Sequence, residues 1–582
     1  MKPSAVLKMK AKEQNIVYPQ MKIVEFLEKN NGAYLDDTAI RYYGNDISYG
    51  QLFDEITAYS RAFAKCGIEE GDYVSVCLPT IPEAIYIMYA LNKIGAIYHS
   101  ILPLASPEQI AETLRANRSK AFITLDSLYY RVGAAAEASG VPFKIKVSAN
   151  SSLPRGIKHL KYLSDVVKGN TYKNIPENYL SVKRFKNSGI GAETVLGKWK
   201  HGDVAIITNS SGSTSDKNKA TVLTDCGFNA MVTNYKIALP QLHRGQTFHS
   251  CIPILYATGA SNSVNLPLQL GFPIILEPIF NKEVYPSSFM KHKPNLSIVP
   301  PPHAKALLDY LRRIYREGNR NRTLLSFVDV FSVGGAHLPI SWEEELDYFL
   351  DYYGSSTAVG KGYGLSEHNS ALTVSTKRMI GAAGIVLPGV IMGAFDSSTG
   401  EELDFGQEGQ IRAISPADMV GYFGEEAMTN GYFKVGNDGR KWGHTGDIGK
   451  LELIDNEVWF FYSGRERDIV KIDEKNILLA KLQSKIFECE EIDDCEVVMM
   501  DFGDGTVPVA HIVLKNEKVR QEKVMEEISA AFRAGDIPEP FAYKTHEALP
   551  VLVSGKVDKQ TLSSDITDCC RYMAGTAVPV SQ

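Results

Sequence analysis

No two cysteines in this chain stand at CxxC spacing, and none of the eight is placed as zinc ligands are. Adjacent Cys569-Cys570 read as free thiols in a tail. No disulfide framework is expected, and the pattern predicts a reducing, cytoplasmic compartment. Lys2, Lys8, Lys10 and Lys12 are not followed by an apolar h-region, so no secretory signal is expected. Long hydrophobic runs are missing too. The most apolar stretch, Val264 to Phe280, is interrupted by Pro267, Gln269, Pro273, Glu277 and Pro278, which excludes a membrane span. Charge of one sign is scarce: a net −6 over 582 residues predicts no general nucleic-acid affinity. From the final Val-Ser-Gln no lipidation box or peroxisomal address is expected. No G-x-x-x-x-G-K-[ST] spacing occurs, so a Walker A loop is absent.

What the chain does have is Asn209-Ser210-Ser211-Gly212-Ser213-Thr214-Ser215, followed by Asp216-Lys217-Asn218-Lys219. Hydroxyls crowded around a glycine, with lysines behind, can aim N–H and O–H donors at one anion. A solvated turn has the same composition, so the loop alone does not decide. Val204-Ala205-Ile206-Ile207 before it and Thr221-Val222-Leu223 after it read as strands.

Around this loop, strand and helix patterns alternate. Tyr73 to Leu78 is a strand, Pro82 to Lys93 a helix, Pro107 to Ala116 a helix and Ala121 to Thr124 a strand. Val328 to Val333 is a strand ending at Gly334-Gly335-Ala336. The rhythm predicts an α/β fold with helix-covered parallel sheets, whose ligands sit at the carboxyl ends of strands. Residues 1–35 read as a partly ordered lead-in and 145–200 as an irregular excursion. From Gly381 to Ser463 short strands and turns suggest a β-rich subdomain. Gly464-Arg465-Glu466-Arg467-Asp468 is a charged boundary, with a small α+β domain beyond it. The expected domains are therefore 1–466 and 467–582.

Three further segments have chemical potential. In Gly360-Lys361-Gly362-Tyr363-Gly364-Leu365-Ser366-Glu367, glycines leave an aromatic face open to a ring ligand, and Ser366 and Glu367 offer oxygens that suit Mg²⁺. A Gly-rich turn is the plain alternative. Thr445-Gly446-Asp447 places a carboxylate where it can hold a diol, or simply close an Asx-turn. Gly555-Lys556 reads on its own as a surface lysine in a loop.

Taken in this order, the segments resemble the adenylate-forming (AMP-binding) superfamily of acyl-CoA synthetases, adenylation domains and luciferases. The resemblance covers about residue 35 to about residue 565. Its Ser/Thr/Gly loop and trailing lysine match Ser211-Gly212-Ser213-Thr214 and Lys219. Its Gly-Tyr-Gly-x-Thr-Glu matches Gly362 to Glu367, with Ser366 for Thr. Its Thr-Gly-Asp, Gly-Arg and Gly-Lys match Thr445-Gly446-Asp447, Gly464-Arg465 and Gly555-Lys556. The resemblance implies an AMP-forming carboxylic acid–thiol ligase using ATP, Mg²⁺ and CoA, or a carrier-protein phosphopantetheine. Ser211, Gly212, Ser213, Thr214 and Lys219 would grip phosphates. Glu367 would bind Mg²⁺ and Ser366 touch phosphate. Tyr363 would stack on adenine beside Gly334, Gly335 and Ala336. Asp447 and Arg465 would hold the ribose. Lys556, brought in by a mobile small domain hinged at Arg467, would bridge the acid and the α-phosphate. Tyr256, with Gly259, would gate the acid pocket.

The chain departs from that family's pattern at Ser215 and Asn218, where a second glycine and a proline are usual. It departs again at Glu474, in Lys471-Ile472-Asp473-Glu474, where a glycine usually passes the pantetheine arm. Apolar neighbours such as Ile254, Leu255 and Val333 lean towards a fatty or aromatic acid. CoA and a carrier protein both stay open as acceptors. No carrier domain is expected in 565–582, and a non-catalytic nucleotide-binding protein is a minor alternative.

Overall fold

The computed structural model describes residues 2–582 apart from 149, 155–174, 195, 210–218, 279–280, 473, 504, 516–519, 553–555, 574–575 and 581–582. Two large sheets carry the α/β part. One has seven strands, in the spatial order Val359–Gly362, Val330–Gly334, Leu296–Val299, Phe248–Ser250, Ile274–Leu276, Thr38–Tyr42 and Asn45–Ser48. All its pairings are parallel except the last hairpin. The other has eight strands, parallel from Val204–Asn209 through Ile97–Ser100 to Tyr179–Ser181. Ala220–Thr224 returns antiparallel to Val204–Asn209, and Gly421–Tyr422 pairs beyond it. Strands such as Ala121–Leu125 are buried along their whole length, as expected of parallel strands covered on both faces.

The two sheets meet at a point that matters for the site. Asn209 bridges Tyr256, and its N–H donates to the Leu255 carbonyl at 3.1 Å. Val204–Asn209 therefore ends against the segment that follows Phe248–Ser250.

A third, antiparallel sheet is built on Lys441–Ile454 and Glu457–Arg465, the β-rich part expected after Gly381. Beyond Arg465 come a hairpin, Ile469–Ile472 with Lys475–Leu478, and a five-stranded mixed sheet starting at Ile492–Asp501. That sheet has its own apolar core, including Leu482, Ile486, Val497, Ile512, Ile528 and Phe532.

Two readings need correction. Residues 1–35 are no loose lead-in: Pro3–Gln14 and Ile23–Asn31 are helices, and Ile23 and Leu27 are fully buried. Long-range bonds fix the second helix, with Ile23 N–H and Asn92 both donating to the buried Asp225. No local pattern could have foretold these bonds. The excursion at 145–200 contains ordered pieces, Tyr179–Ser181 at a sheet edge and the helix Val182–Ser188.

The hairpin turn explains one departure. Glu474 has φ of +68°, a left-handed conformation that costs a side-chain-bearing residue on the order of 1 kcal/mol. Glycine is free of that cost. Glu474 is exposed, and its ion pair with Lys471 at 2.9 Å contributes little. Glu474→Gly is expected to raise the unfolding free energy by about 0.5–1 kcal/mol. Denaturant titration would read this as a higher midpoint at unchanged slope.

Candidate active site

Four parallel strands of the seven-stranded sheet end at one place. Phe248–Ser250 leads to Ile252 and Tyr256, Leu296–Val299 to Pro300, Val330–Gly334 to Gly335, and Val359–Gly362 to Tyr363 and Glu367. These segments line a cavity of about 670 Å³. Lys219, Tyr422, Tyr432, Arg465, Arg467 and Lys556 complete much of its wall. A smaller cavity of about 110 Å³ shares Gly335, Gly362, Tyr363, Gly364 and Arg465 with it and adds Ala336 and Asp447. The switch-point rule for open α/β sheets thus places the cavity where the sequence motifs converge.

The glycine after Tyr363 is dictated by packing. A Cβ on Gly364 would lie 1.7 Å from the Ser370 carbonyl oxygen, so only glycine lets the chain double back there. That return brings Ser366–His368 into a short 3₁₀ turn, with Glu367 on the main cavity. Tyr422 donates to Glu367 Oε1 at 2.6 Å, and Lys219 Nζ stands 5.7 Å from the centre of the Tyr422 ring. Burial, reinforced by Glu367, pushes the Tyr422 hydroxyl well above its usual range, so it stays a donor. Behind them, buried His368 bonds Asp418 through Nδ1 at 2.5 Å and Tyr432 through Nε2 at 2.8 Å. Sequence reasoning missed Tyr422 and Tyr432. The imidazole next to Glu367 was the sole local hint of that network.

Asp447 and Arg465 face each other across adjacent strands, in register. Arg465 Nε lies 3.0 Å from Asp447 Oδ1, and Tyr363 Oη donates to Oδ2 at 2.6 Å. Asp447 is fully buried, and burial pushes its carboxyl up to about 6 although Arg465 and Tyr363 oppose this. Thr445 and Asp447 lie inside the long strand Lys441–Ile454 rather than in a free turn. The Tyr363 ring leans on Phe460, with centroids 4.6 Å apart, while the residue also lines both cavities.

Lys556 is the lysine from beyond residue 467 that lines the main cavity. The mass of protein around it, and then Arg465 and Arg467, pull its ammonium down to about 8, against the attraction of Asp447 and Glu367. Tyr256 lines the cavity, but Gly259 does not. Gly259 begins the π-helical segment Gly259–Asn265, and a Cβ there would sit 1.8 Å from the Pro253 carbonyl oxygen. It therefore sets the course of the wall behind Tyr256. Gly334 lines the main cavity and Ala336 the smaller one. Ser211, Gly212, Ser213, Thr214 and Gly555 lie outside the described residues.

Strand ends, two joined cavities and converging basic and carboxylate side chains mark this as the candidate active site of an α/β enzyme. Residues 27–423 match the model of the AMP-binding enzyme family, and the chain belongs to that family. It is 23% identical over 557 residues to the long-chain-fatty-acid–CoA ligase of Bacillus subtilis (strain 168), covering 94% of this chain and 95% of that protein. It is 26% identical over 543 residues to the probable 4-coumarate–CoA ligase 2 of Dictyostelium discoideum, covering 89% and 90%. The fold is similar to a crystal structure of the anthranilate CoA ligase AuaEII in complex with anthranoyl-AMP, with TM-score 0.77, 16% identity and coverage of 95% and 98%. It is likewise similar to a benzoate CoA ligase from Burkholderia xenovorans LB400, with TM-score 0.74, 17% identity and coverage of 93% and 100%.

Proposed function

We propose that the protein activates a carboxylic acid with ATP, forming an acyl-adenylate and pyrophosphate, and then passes the acyl group to the thiol of CoA with release of AMP. The observation that carries this reading is the meeting of Lys219, Glu367, Arg465 and Lys556 on one cavity at the ends of four strands. Attack of a carboxylate oxygen on the α-phosphorus brings two anions together. What the protein must supply is charge compensation and alignment. Lys219 and the 211–214 loop are assigned to the phosphates, and Asp447 with Arg465 to the ribose. Tyr363, Gly334, Gly335 and Ala336 are assigned to the base. Lys556 is assigned to the acid and the α-phosphate together, and Ser366 to a phosphate oxygen. Residues 467–582 are read as a lid hinged at Arg467.

Glu367 fits as the protein's ligand for Mg²⁺, which prefers few carboxylates alongside phosphate and water. Among the described residues no cluster of three His, Cys, Asp or Glu competes for that role. When bound, the ion would neutralise phosphate charge.

The acid is read as fatty or aromatic. The relatives named above are ligases for both kinds, and Tyr256, Ile252 and Ile298 give the cavity an apolar share. No helix among the described residues is long and apolar enough to cross a membrane. The test is Mg²⁺- and ATP-dependent pyrophosphate release with dodecanoic, benzoic, 4-coumaric and amino acids, with and without CoA. Acid-dependent release that rises with CoA is the expected result. Release indifferent to CoA would move the acceptor to a carrier-protein phosphopantetheine. No release with any acid would overturn the reading.

A further inference from the structure

The segment that carries Lys556 is tied to contacts remote from the cavity. The strand Ile492–Asp501 opens against two helices of the α/β part, Pro301–Arg316 and Ile340–Tyr352. Asp493 is the centre of that contact. Lys305 Nζ donates to Oδ2 at 2.8 Å and Arg312 Nη1 to Oδ1 at 3.2 Å. The indole N–H of Trp342 donates to the Asp493 carbonyl at 3.0 Å, and the Phe487 ring meets Trp342 edge-on. The side chains of Lys305 and Arg312 are each only 12% exposed, so these bonds are shielded from solvent.

The same strand leads to Lys556. Lys559, three residues further on, pairs with Glu496 at 2.9 Å and also approaches Asp468 in the hinge segment, at 3.8 Å. Lys559 begins the helix Lys559–Ser564. Asp493 is thus joined through its strand and Glu496 to the segment that carries Lys556.

Resting on the function proposed above, the geometry points to Asp493 as a positioning residue that seats the C-terminal part so that Lys556 reaches the reacting carboxylate. A detail separates seating from plain stabilisation. Lys305 and Arg312 already have partners within the α/β part: Asp309, on their own helix, pairs with both, at 2.6 and 3.0 Å, and Glu345, on the neighbouring helix Ile340–Tyr352, pairs with Arg312. Neither cation is stranded when Asp493 leaves. Without Asp493 the face still sets two cations, Lys305 and Arg312, against two carboxylates, Asp309 and Glu345, so undocking leaves no unpaired charge on it.

The test compares full-length Asp493→Asn with Lys305→Met, one variant from each side of the contact. Three readouts are taken: pyrophosphate release with the same acids, CoA-dependent consumption of supplied 4-coumaroyl- and dodecanoyl-adenylate, and the rate at which trinitrobenzenesulfonate modifies Lys556, followed by peptide mass spectrometry. Both variants should release pyrophosphate about 10- to 100-fold more slowly, because small misplacements of a reacting group have effects of that size. Consumption of the supplied adenylates should not fall, and Lys556 should be modified several-fold faster. Unchanged modification of Lys556 in either folded variant overturns the proposal, as does a parallel fall in both half-reactions. If the wild-type protein releases no pyrophosphate, the functional reading fails, and the modification rate alone still decides whether Asp493 seats Lys556.

Discussion

Lys556→Ala is expected to slow acid-dependent pyrophosphate release by at least about 10²-fold, the effect of losing one donor aimed at developing charge. ATP affinity should change little, since the role proposed for the lysine is exercised in the transition state. The Lys556 side chain lines the cavity that Glu367 and Arg465 also line. The protein around it and the nearby Arg465 lower its proton affinity from 10.5 to about 8. Two consequences have opposite signs. The protonated form is the useful one, so kcat/KM should decline as pH rises through about 8 in the free enzyme. For stability, the unfolded chain holds this proton more tightly than the folded one, so the group's contribution to stability rises between pH 8 and 10.5. Below pH 8 the protonated ammonium is a burden on the fold. The alanine variant should then be at least as stable as wild type there, while being far slower. A pH series of pyrophosphate release and denaturant midpoints checks both. A near-normal rate in the variant would remove Lys556 from the chemistry.

How much of this was legible beforehand differs from element to element. Strand–helix alternation gave the parallel sheets, because fully buried strands such as Ala121–Leu125 are written as continuous apolar runs. The motif segments Gly362 to Glu367 and Thr445 to Asp447 could be found because their chemistry is local in sequence. That they share one locality depends on a contact between sheets, the bond from Tyr363 Oη to Asp447 Oδ2, which no local pattern in the chain foretells. Tyr422 stayed unseen because its meaning comes from a single bond to Glu367, 55 residues away in the chain. Gly259 was read as part of the acid gate, whereas the approach of Pro253 accounts for it through packing. Asp493 carried no signal at all, since an acid next to Asp494 looks like any solvated turn until Trp342 and Arg312 are seen against it. Residues whose work is done by neighbours close in sequence are the readable ones. Those defined by a distant partner are not.

Arg465→Met is expected to destabilise the protein, and more so at higher pH. Asp447 is completely buried, and its oxygens face Arg465 and Tyr363. Removing the cation leaves a buried carboxylate short of its main compensation. Breaking a buried pair in this way costs about 3–5 kcal/mol when both partners are sealed from water. Arg465 is 37% exposed, and solvent screening reduces the expected loss to about 1–3 kcal/mol. The pH dependence follows from the direction of the Asp447 shift. Burial has raised it from 3.8 to about 6, so between those values the folded protein holds a proton that the unfolded chain has lost. Stability from this group is highest at low pH and falls as pH rises towards 6. Without Arg465 the carboxyl must rise further, and the fall continues to higher pH. The deficit of the variant should therefore be small near pH 5 and larger near pH 8, roughly bracketing the wild-type transition. A second change, Asp447→Asn, should recover most of the loss in the Arg465→Met background, since the uncompensated charge is then gone. A deficit equal at both pH values, and not relieved by Asp447→Asn, would assign it to lost packing of the arginine stem. Arg465 would then be a spacer between the strands rather than the counter-charge that allows a carboxylate to stand in the wall of the cavity.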